Sequence, residues 1–191
     1  IYCGQEVGVA STKAFIGQML VLYILCTKIS FDQKCISKKE YQSKIKNLLT
    51  LSNSAKKTLK IDQKILNIGK VFANAKGSMF LGRGYSFPIA LEGASKLKEL
   101  AYVHAEGYGA GEMKHGPIAM IDERFPTVAI APQDDVYEKM ISNIEEVKAR
   151  SGPVLAIAHE GDAAIAELVD DVVYIPKVHP IVQPILSTVP L

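Results

Sequence analysis

Tryptophan is missing from this 191-residue chain, and cysteine is nearly so, with only Cys3, Cys26 and Cys35. Three irregularly spaced cysteines build no disulfide framework, and none forms the two-residue spacing of a zinc or redox motif. That usage implies a reducing cytoplasm. A charge excess is lacking too: the formal net charge is +2, which gives no overall pull toward nucleic acid, a membrane surface or an acidic partner. Long apolar runs are also lacking. The longest, Met19 to Cys26, is eight residues, against the roughly 20 that a membrane-spanning helix needs. It is therefore expected to be a buried helix, with no membrane in the chain's surroundings. The opening Ile1-Tyr2-Cys3-Gly4 has no initiator methionine, basic flank or apolar signal core. The closing residues Ile185 to Leu191 carry no helix-stop signal. Both ends are expected to be cut within larger elements.

What is present is enough to bury a substantial core, since 48% of residues are hydrophobic. Ser11 precedes a run in which Phe15, Met19, Leu22 and Cys26 recur at helical spacing, predicting a Ser-capped helix with a deeply buried face. From Lys34 to Lys76 eleven lysines face only Glu40 and Asp62, with apolar residues at Ile45, Leu48, Leu49, Ile65, Ile68 and Phe72. This pattern predicts one or two amphipathic helices with a break near Ser52-Asn53-Ser54. Because the stretch contains no arginine, it reads as a solvated lysine face and not as a nucleic-acid patch.

Beyond Gly77 strand and helix patterns alternate. Strands are expected at Ser78–Leu81, Phe125–Ala131, Val154–Ala158 and Val172–Ile175, with helices through Leu100 and over Val136–Arg150. Strands separated by helices require crossovers, so the fold class is α/β with a mainly parallel sheet flanked by helices. Ligands of such sheets sit beyond the carboxyl ends of the strands.

Four segments carry candidate chemistry. Gly4 to Lys13 leads small residues into a helix N-terminus, where free N–H groups suit an anionic or hydroxyl-rich ligand, or an ordinary capped loop. Leu81-Gly82-Arg83-Gly84 has only two glycines and no Lys-Ser/Thr pair, so it is a weak nucleotide loop. Its Arg83 suits either a phosphate or a structural carboxylate. Glu92, Lys96 and Glu99 share one helix face beside the apolar stripe Ile89, Gly93, Leu97 and Leu100. They form either a salt-bridge ladder or, if the face borders a cavity, a proton-transfer pair. His104 to Pro117 is polar, glycine-rich and aperiodic, so costly to order. In it His115 could act as an acid or base near neutral pH. No cysteine, histidine or aspartate cluster of metal-site spacing surrounds these histidines, so no metal is expected.

Together, Glu6-Val7-Gly8-Val9-Ala10-Ser11-Thr12-Lys13-Ala14-Phe15, Leu81-Gly82-Arg83-Gly84, Ala90-Leu91-Glu92-Gly93-Ala94, Lys96-Leu97-Lys98-Glu99 and Gly111-Glu112-Met113-Lys114-His115-Gly116-Pro117 closely resemble the glucosamine-6-phosphate synthase family. Ser142 to Val147 and Thr188-Val189-Pro190-Leu191 extend the resemblance over nearly the whole chain; Cys3, Gln5 and Met113 are small departures. It implies a SIS (sugar isomerase) fold. Residues 1–36 would end a first SIS subdomain, 37–68 would be connecting helices, and 69–191 would form a nearly complete second subdomain.

The implied activity is conversion of fructose 6-phosphate and glutamine-derived ammonia into glucosamine 6-phosphate, without metal or organic cofactor. Glu99 matches the base for proton transfer between C1 and C2, with Lys96 as an electrostatic or proton-handling partner. His115 matches the ring-opening residue, reaching the pocket from the neighbouring subunit of a homodimer. Val9 and Ser11 match sugar-contacting positions. The family's glutaminase domain and serine/threonine-rich phosphate loop would precede Ile1, and its Schiff-base lysine would follow Leu191, leaving the piece inactive by itself. A sugar-phosphate-sensing SIS regulator, or an enzyme processing fructosamine phosphates, would share the fold.

Overall fold

The computed structural model describes residues 1–73 and 75–191, less the side chains of 62 and 63. Three helices come first: α1 (Lys13–Asp32), α2 (Lys38–Thr58) and α3 (Asp62–Phe72). There follow β1 (Ser78–Gly82), α4 (Phe87–Ala101), β2 (Ala105–Gly109), a 3-10 turn over Ala110–His115, β3 (Thr127–Ala131), α5 (Tyr137–Lys148), β4 (Val154–His159), α6 (Ala163–Leu168), β5 (Asp171–Ile175) and α7 (Gln183–Ser187). The five strands form one parallel sheet in the order β2-β1-β3-β4-β5. The chain leaves β1 for β2 on one side and later places β3 on the other. The crevice outside the carboxyl ends of β1 and β3 is thus the topological switch point.

Alternation along the strands sorts the core into two layers. Met79, Leu81, Ala129, Ala131, Ala156 and Ala158 face one way, with Met140, Ile144 and Val147 of α5 and Ile165 of α6. Phe80, Val128, Ile130, Ile157, Val173 and Ile175 face the other, with Ile89, Ala90 and Ala94 of α4 and Ile68 of α3. Both sheet faces are covered, which is why β3, β4 and β5 read as largely apolar runs.

The helical segment departs from expectation in three ways. Helix α2 runs straight through Ser52-Asn53-Ser54, and the break falls at the 3-10 turn Leu59–Ile61. The capping box between Ser37 and Glu40 fixes where α2 begins, and local serines in mid-helix do not outweigh packing of Leu48, Leu51 and Ala55 on α1 and α7. Helix α1 lacks the deeply buried face expected of it: Leu22 is 59% exposed, Cys26 is exposed, and Thr27 is its buried residue. Phe15 and Met19 pack against the sheet layer, and Ile16, Leu20 and Tyr23 against α2 and α7, so only one side of an all-round apolar helix meets neighbours. By length and composition alone, α1 is long and apolar enough to cross a membrane. Core helices of folded domains meet the same criterion, and α1 is docked along that side on the sheet layer, α2 and α7.

The polar segment expected to be aperiodic contains edge strand β2. Its close fit to α4 depends on Gly107, where a Cβ would stand 2.7 Å from the Leu91 backbone N and Cα. Gly107→Ala should therefore push α4 off the sheet, costing about 1–3 kcal/mol. At ~2–4 °C per kcal/mol for a chain of this size, the loss is readable by thermal unfolding. Gly8→Ala, with open space at its Cβ, should be silent. An unchanged melting temperature for Gly107→Ala would show that α4 does not bear on β2 as described.

At the carboxyl end of β4, His159 is 3% exposed and its Nδ1 accepts the Gln133 backbone N–H at 3.1 Å. The ring is therefore neutral, with its proton on Nε2. Burial is the main cause lowering its pKa below the ordinary histidine value; the nearby Gln183 side chain opposes it, Lys177 adds to it, and Asp162 and Asp134 oppose it. Below the unfolded-state pKa of about 6.5 the unfolded chain binds a proton that the folded chain refuses, so stability falls as pH drops through that value toward the folded pKa. Denaturant midpoints measured from pH 7.5 down to 5.5 should show that decline. A His159→Gln variant should flatten it, and an equally steep decline in the variant would remove His159 as its source.

Candidate functional site

The N-terminal candidate is occupied by the chain itself. Thr12, not Ser11, is the N-cap of α1 and makes no side-chain capping bond. Instead Glu6 Oε1 accepts the backbone N–H groups of Thr12 at 2.8 Å, Lys13 at 2.6 Å and Ala14 at 3.3 Å, and the Thr12 hydroxyl at 3.2 Å. A carboxylate accepts several donors at once and complements the helix dipole, which a serine hydroxyl does less well. These bonds, that from the Thr12 N–H foremost, lower the Glu6 carboxyl pKa to about 2. The N–H groups expected to receive an anionic ligand are thus already satisfied. Val9 is 83% exposed, Ser11 is exposed just before the helix, and Ala10 between them is buried.

On α4 the three charged residues do not act as one ladder. Lys96 is 4% exposed; its Nζ donates to Glu92 Oε1 at 2.8 Å and lies 5.1 Å from the Phe15 ring centroid of α1. Glu99, one turn on, is exposed and accepts the Ser95 hydroxyl at 3.1 Å. Lys96 also lines a cavity of about 180 Å³ whose walls are otherwise apolar, among them Ile68, Phe72, Phe80, Leu97, Val128 and Ile157. Such walls offer a sugar phosphate almost no hydrogen-bonding groups, and Glu99 is not among them. The cavity and the exposed carboxylate are separate features of one helix: Gly93, Leu97 and Leu100 line the cavity on one side of Lys96, and Glu99 lies about 60° round the helix on its other side.

The glycines of Leu81-Gly82-Arg83-Gly84 serve the turn. A Cβ on Gly82 would overlap the Ser86 carbonyl, and Gly84 has φ +52°. In place of a structural carboxylate Arg83 has an amide: its Nη1 donates to the side-chain oxygen of Asn143 on α5 at 2.8 Å.

The segment holding His115 is anchored, not loose. After β2 the 3-10 turn buries Ala110 and Met113 completely, so Met113 is a core peg. Gly111 lies under the Arg83 guanidinium, and Lys114 Nζ pairs with Glu146 Oε1 at 2.7 Å. His115 itself stays 76% exposed at the side chain, 3.9 Å from the Glu112 carboxylate, and Gly116 follows with φ +140°. His104, with Nε2 3.6 Å from Glu106, lies at the other end of β2. Among the described residues no group of three or more His, Cys, Asp and Glu side chains is placed to hold a metal ion.

Val9, Ser11, Glu99 and His115 therefore stand on three segments, all exposed, and among the described residues no hydrogen bond or ion pair joins the three segments. The partners around His115 were missed in the sequence. The i,i+3 spacing of Asn143 and Glu146 was readable as one helix face, but nothing local tied it to Arg83 or Lys114.

The chain is 46% identical over 191 residues to glutamine–fructose-6-phosphate aminotransferase [isomerizing] of Bacteroides thetaiotaomicron, covering all of this chain and 31% of that protein. To the enzyme of the same name from Chlorobaculum tepidum it is 48% identical over 190 residues, with the same coverage. The chain thus spans about a third of the length of these curated relatives. Among solved structures, the C-terminal domain of glucosamine-fructose-6-phosphate aminotransferase from Francisella tularensis superposes with a TM-score of 0.92 at 37% identity, over 98% of this chain and 53% of that one. The SIS domain family matches residues 71–191, the span that builds the parallel sheet and carries both Glu99 and His115. The chain belongs to the SIS domain family.

Proposed function

We propose that this chain supplies the isomerase part of a glutamine–fructose-6-phosphate aminotransferase, which makes glucosamine 6-phosphate from fructose 6-phosphate and glutamine-derived ammonia. The observation that carries this reading is the reach of the similarity: 46% identity extends over all 191 residues, well beyond the 71–191 that the SIS domain family shares. In this reading residues 1–36 end a first SIS subdomain, 37–68 are its connection, and 69–191 are the second subdomain. A glutaminase domain belongs to the same polypeptide. The enzyme is a cytoplasmic homodimer at the entry to hexosamine synthesis.

The chemistry follows from the residue types. An open-chain ketose carrying an iminium at C2 has an acidified C1–H, because the electron pair left behind is taken up as an enolamine. The Glu99 carboxylate removes that proton and returns it to C2, so that the double bond moves and an aldose results. Its exposure leaves it free to meet substrate, and the Ser95 hydroxyl holds one oxygen in place. His115 delivers a proton to the ring oxygen as the furanose opens, from a second subunit. Lys96 is committed to Glu92, so its role is that of a fixed charge within α4. Val9 and Ser11 contact the sugar from the loop before α1. No step calls on a metal or an organic cofactor.

The test is turnover by the full-length polypeptide: glutamine and fructose 6-phosphate should yield glucosamine 6-phosphate and glutamate together. Saturable binding of the sugar phosphate without product would make the chain part of a sensor. Consumption of a fructosamine phosphate in place of fructose 6-phosphate would make it a deglycating enzyme.

A further inference from the structure

We infer that Arg83, Asn143, Glu146 and Lys114 form a positioning relay that holds the His115 loop at the carboxyl edge of the sheet, an inference that rests on the proposed role of His115. The four residues come from three elements that meet at the topological switch point. Arg83 leaves the end of β1, Asn143 and Glu146 lie on α5 after β3, and Lys114 lies in the 3-10 turn after β2.

The bonds converge on the Glu146 carboxylate. Arg83 Nη1 donates to Asn143 Oδ1 at 2.8 Å, Asn143 Nδ2 donates to Glu146 Oε2 at 3.3 Å, and Lys114 Nζ meets Glu146 Oε1 at 2.7 Å. Asn143 is 5% exposed, and its amide admits one orientation only. Turned over, it would aim N–H groups at the guanidinium and an oxygen at the carboxylate. A buried amide with both ends satisfied between a cation and an anion is a specific joint, costly to misalign.

Arg83 also holds the other end of the same turn. A Cβ on Gly111 would stand 3.1 Å from its Nη1 and 3.4 Å from its Nη2, so the guanidinium lies against bare backbone. One arginine thereby bears directly on the first turn of the loop and, through Asn143 and Glu146, on Lys114, the residue before His115. With Ala110 and Met113 buried in the core, the side chains of Glu112 and His115 project outward. A proton-transfer group on a short turn needs its backbone fixed to keep a reactive distance, and this relay does so without touching the imidazole.

The test uses the full-length enzyme and two substrates: fructose 6-phosphate, and the analogue in which the 5-hydroxyl is replaced by hydrogen. The analogue cannot close a furanose ring and so needs no ring opening. Glu146→Gln and Asn143→Leu should lower kcat on fructose 6-phosphate on the order of tenfold while sparing the analogue and leaving KM for either substrate and glutaminase activity near wild type. His115→Ala should show the same selectivity more strongly. If Asn143→Leu fails to fold, Glu146→Gln, a change at a partly exposed side chain, decides alone. Unchanged kcat, or equal losses on both substrates, in the relay variants beside a selective His115→Ala would overturn the relay while leaving the role of His115 standing. A His115→Ala variant without selectivity would overturn that role and the relay with it.

Discussion

Glu99→Gln in the full-length enzyme should bind fructose 6-phosphate as the wild type does and fail to isomerise it, with kcat lower by about 10²- to 10⁴-fold. Glutamine has the shape of glutamate, and its amide oxygen can still accept the Ser95 hydroxyl that glutamate accepts at 3.1 Å. What it cannot do is take a proton from carbon. Because Glu99 is exposed at the last turn of α4, the change removes no buried charge and leaves no orphaned partner, so stability should shift by no more than about 0.5 kcal/mol. Loss of rate without loss of binding or folding is the signature of a group used only in the transition state. Glutaminase activity provides the internal control. Wild-type isomerisation by a folded Glu99→Gln enzyme would take Glu99 out of the mechanism.

Mixing two inactive full-length variants, Glu99→Gln and His115→Ala, should restore activity if His115 works across the dimer. In each heterodimer one pocket then pairs an intact Glu99 with an intact His115 from the partner, while the other pocket carries both defects. Activity should rise to roughly half the wild-type value per heterodimer, treating the two sites as independent. The outward projection of His115 from an anchored turn, 76% exposed, is the geometry such a shared pocket requires. If both residues served the same chain's pocket, every heterodimer site would keep one defect. Verified heterodimers that stay inactive, made from homodimers that fold and bind sugar phosphate, would confine His115 to its own subunit or remove it from catalysis.

The α/β class, the positions of β1, β3, β4 and β5, and helices α4 and α5 were legible from local pattern; the short α6 was not. Each depends on neighbours a few residues apart. Apolar runs bounded by turn residues make buried strands, and helical spacing makes an amphipathic face. The same locality explains the capping box at Ser37, where donor and acceptor are three residues apart. It also explains why motifs such as Lys96-Leu97-Lys98-Glu99 could be recognised without knowing how they pack.

Partners chosen by packing were not legible. Serine before a helix reads as a cap, yet a carboxylate five residues before it displaced it, because Glu6 could reach several N–H groups at once. Lys96 and Glu99 are close on the helix, but only the sheet and α1 decide which is buried and which faces water. The apolar stripe of α1 could not announce that one of its sides would meet no neighbour. Arg83 and Asn143 lie 60 residues apart. Nothing in either local sequence specifies their bond, which exists because a parallel sheet brings the ends of β1 and β3 side by side and sets the loop after β2 against them.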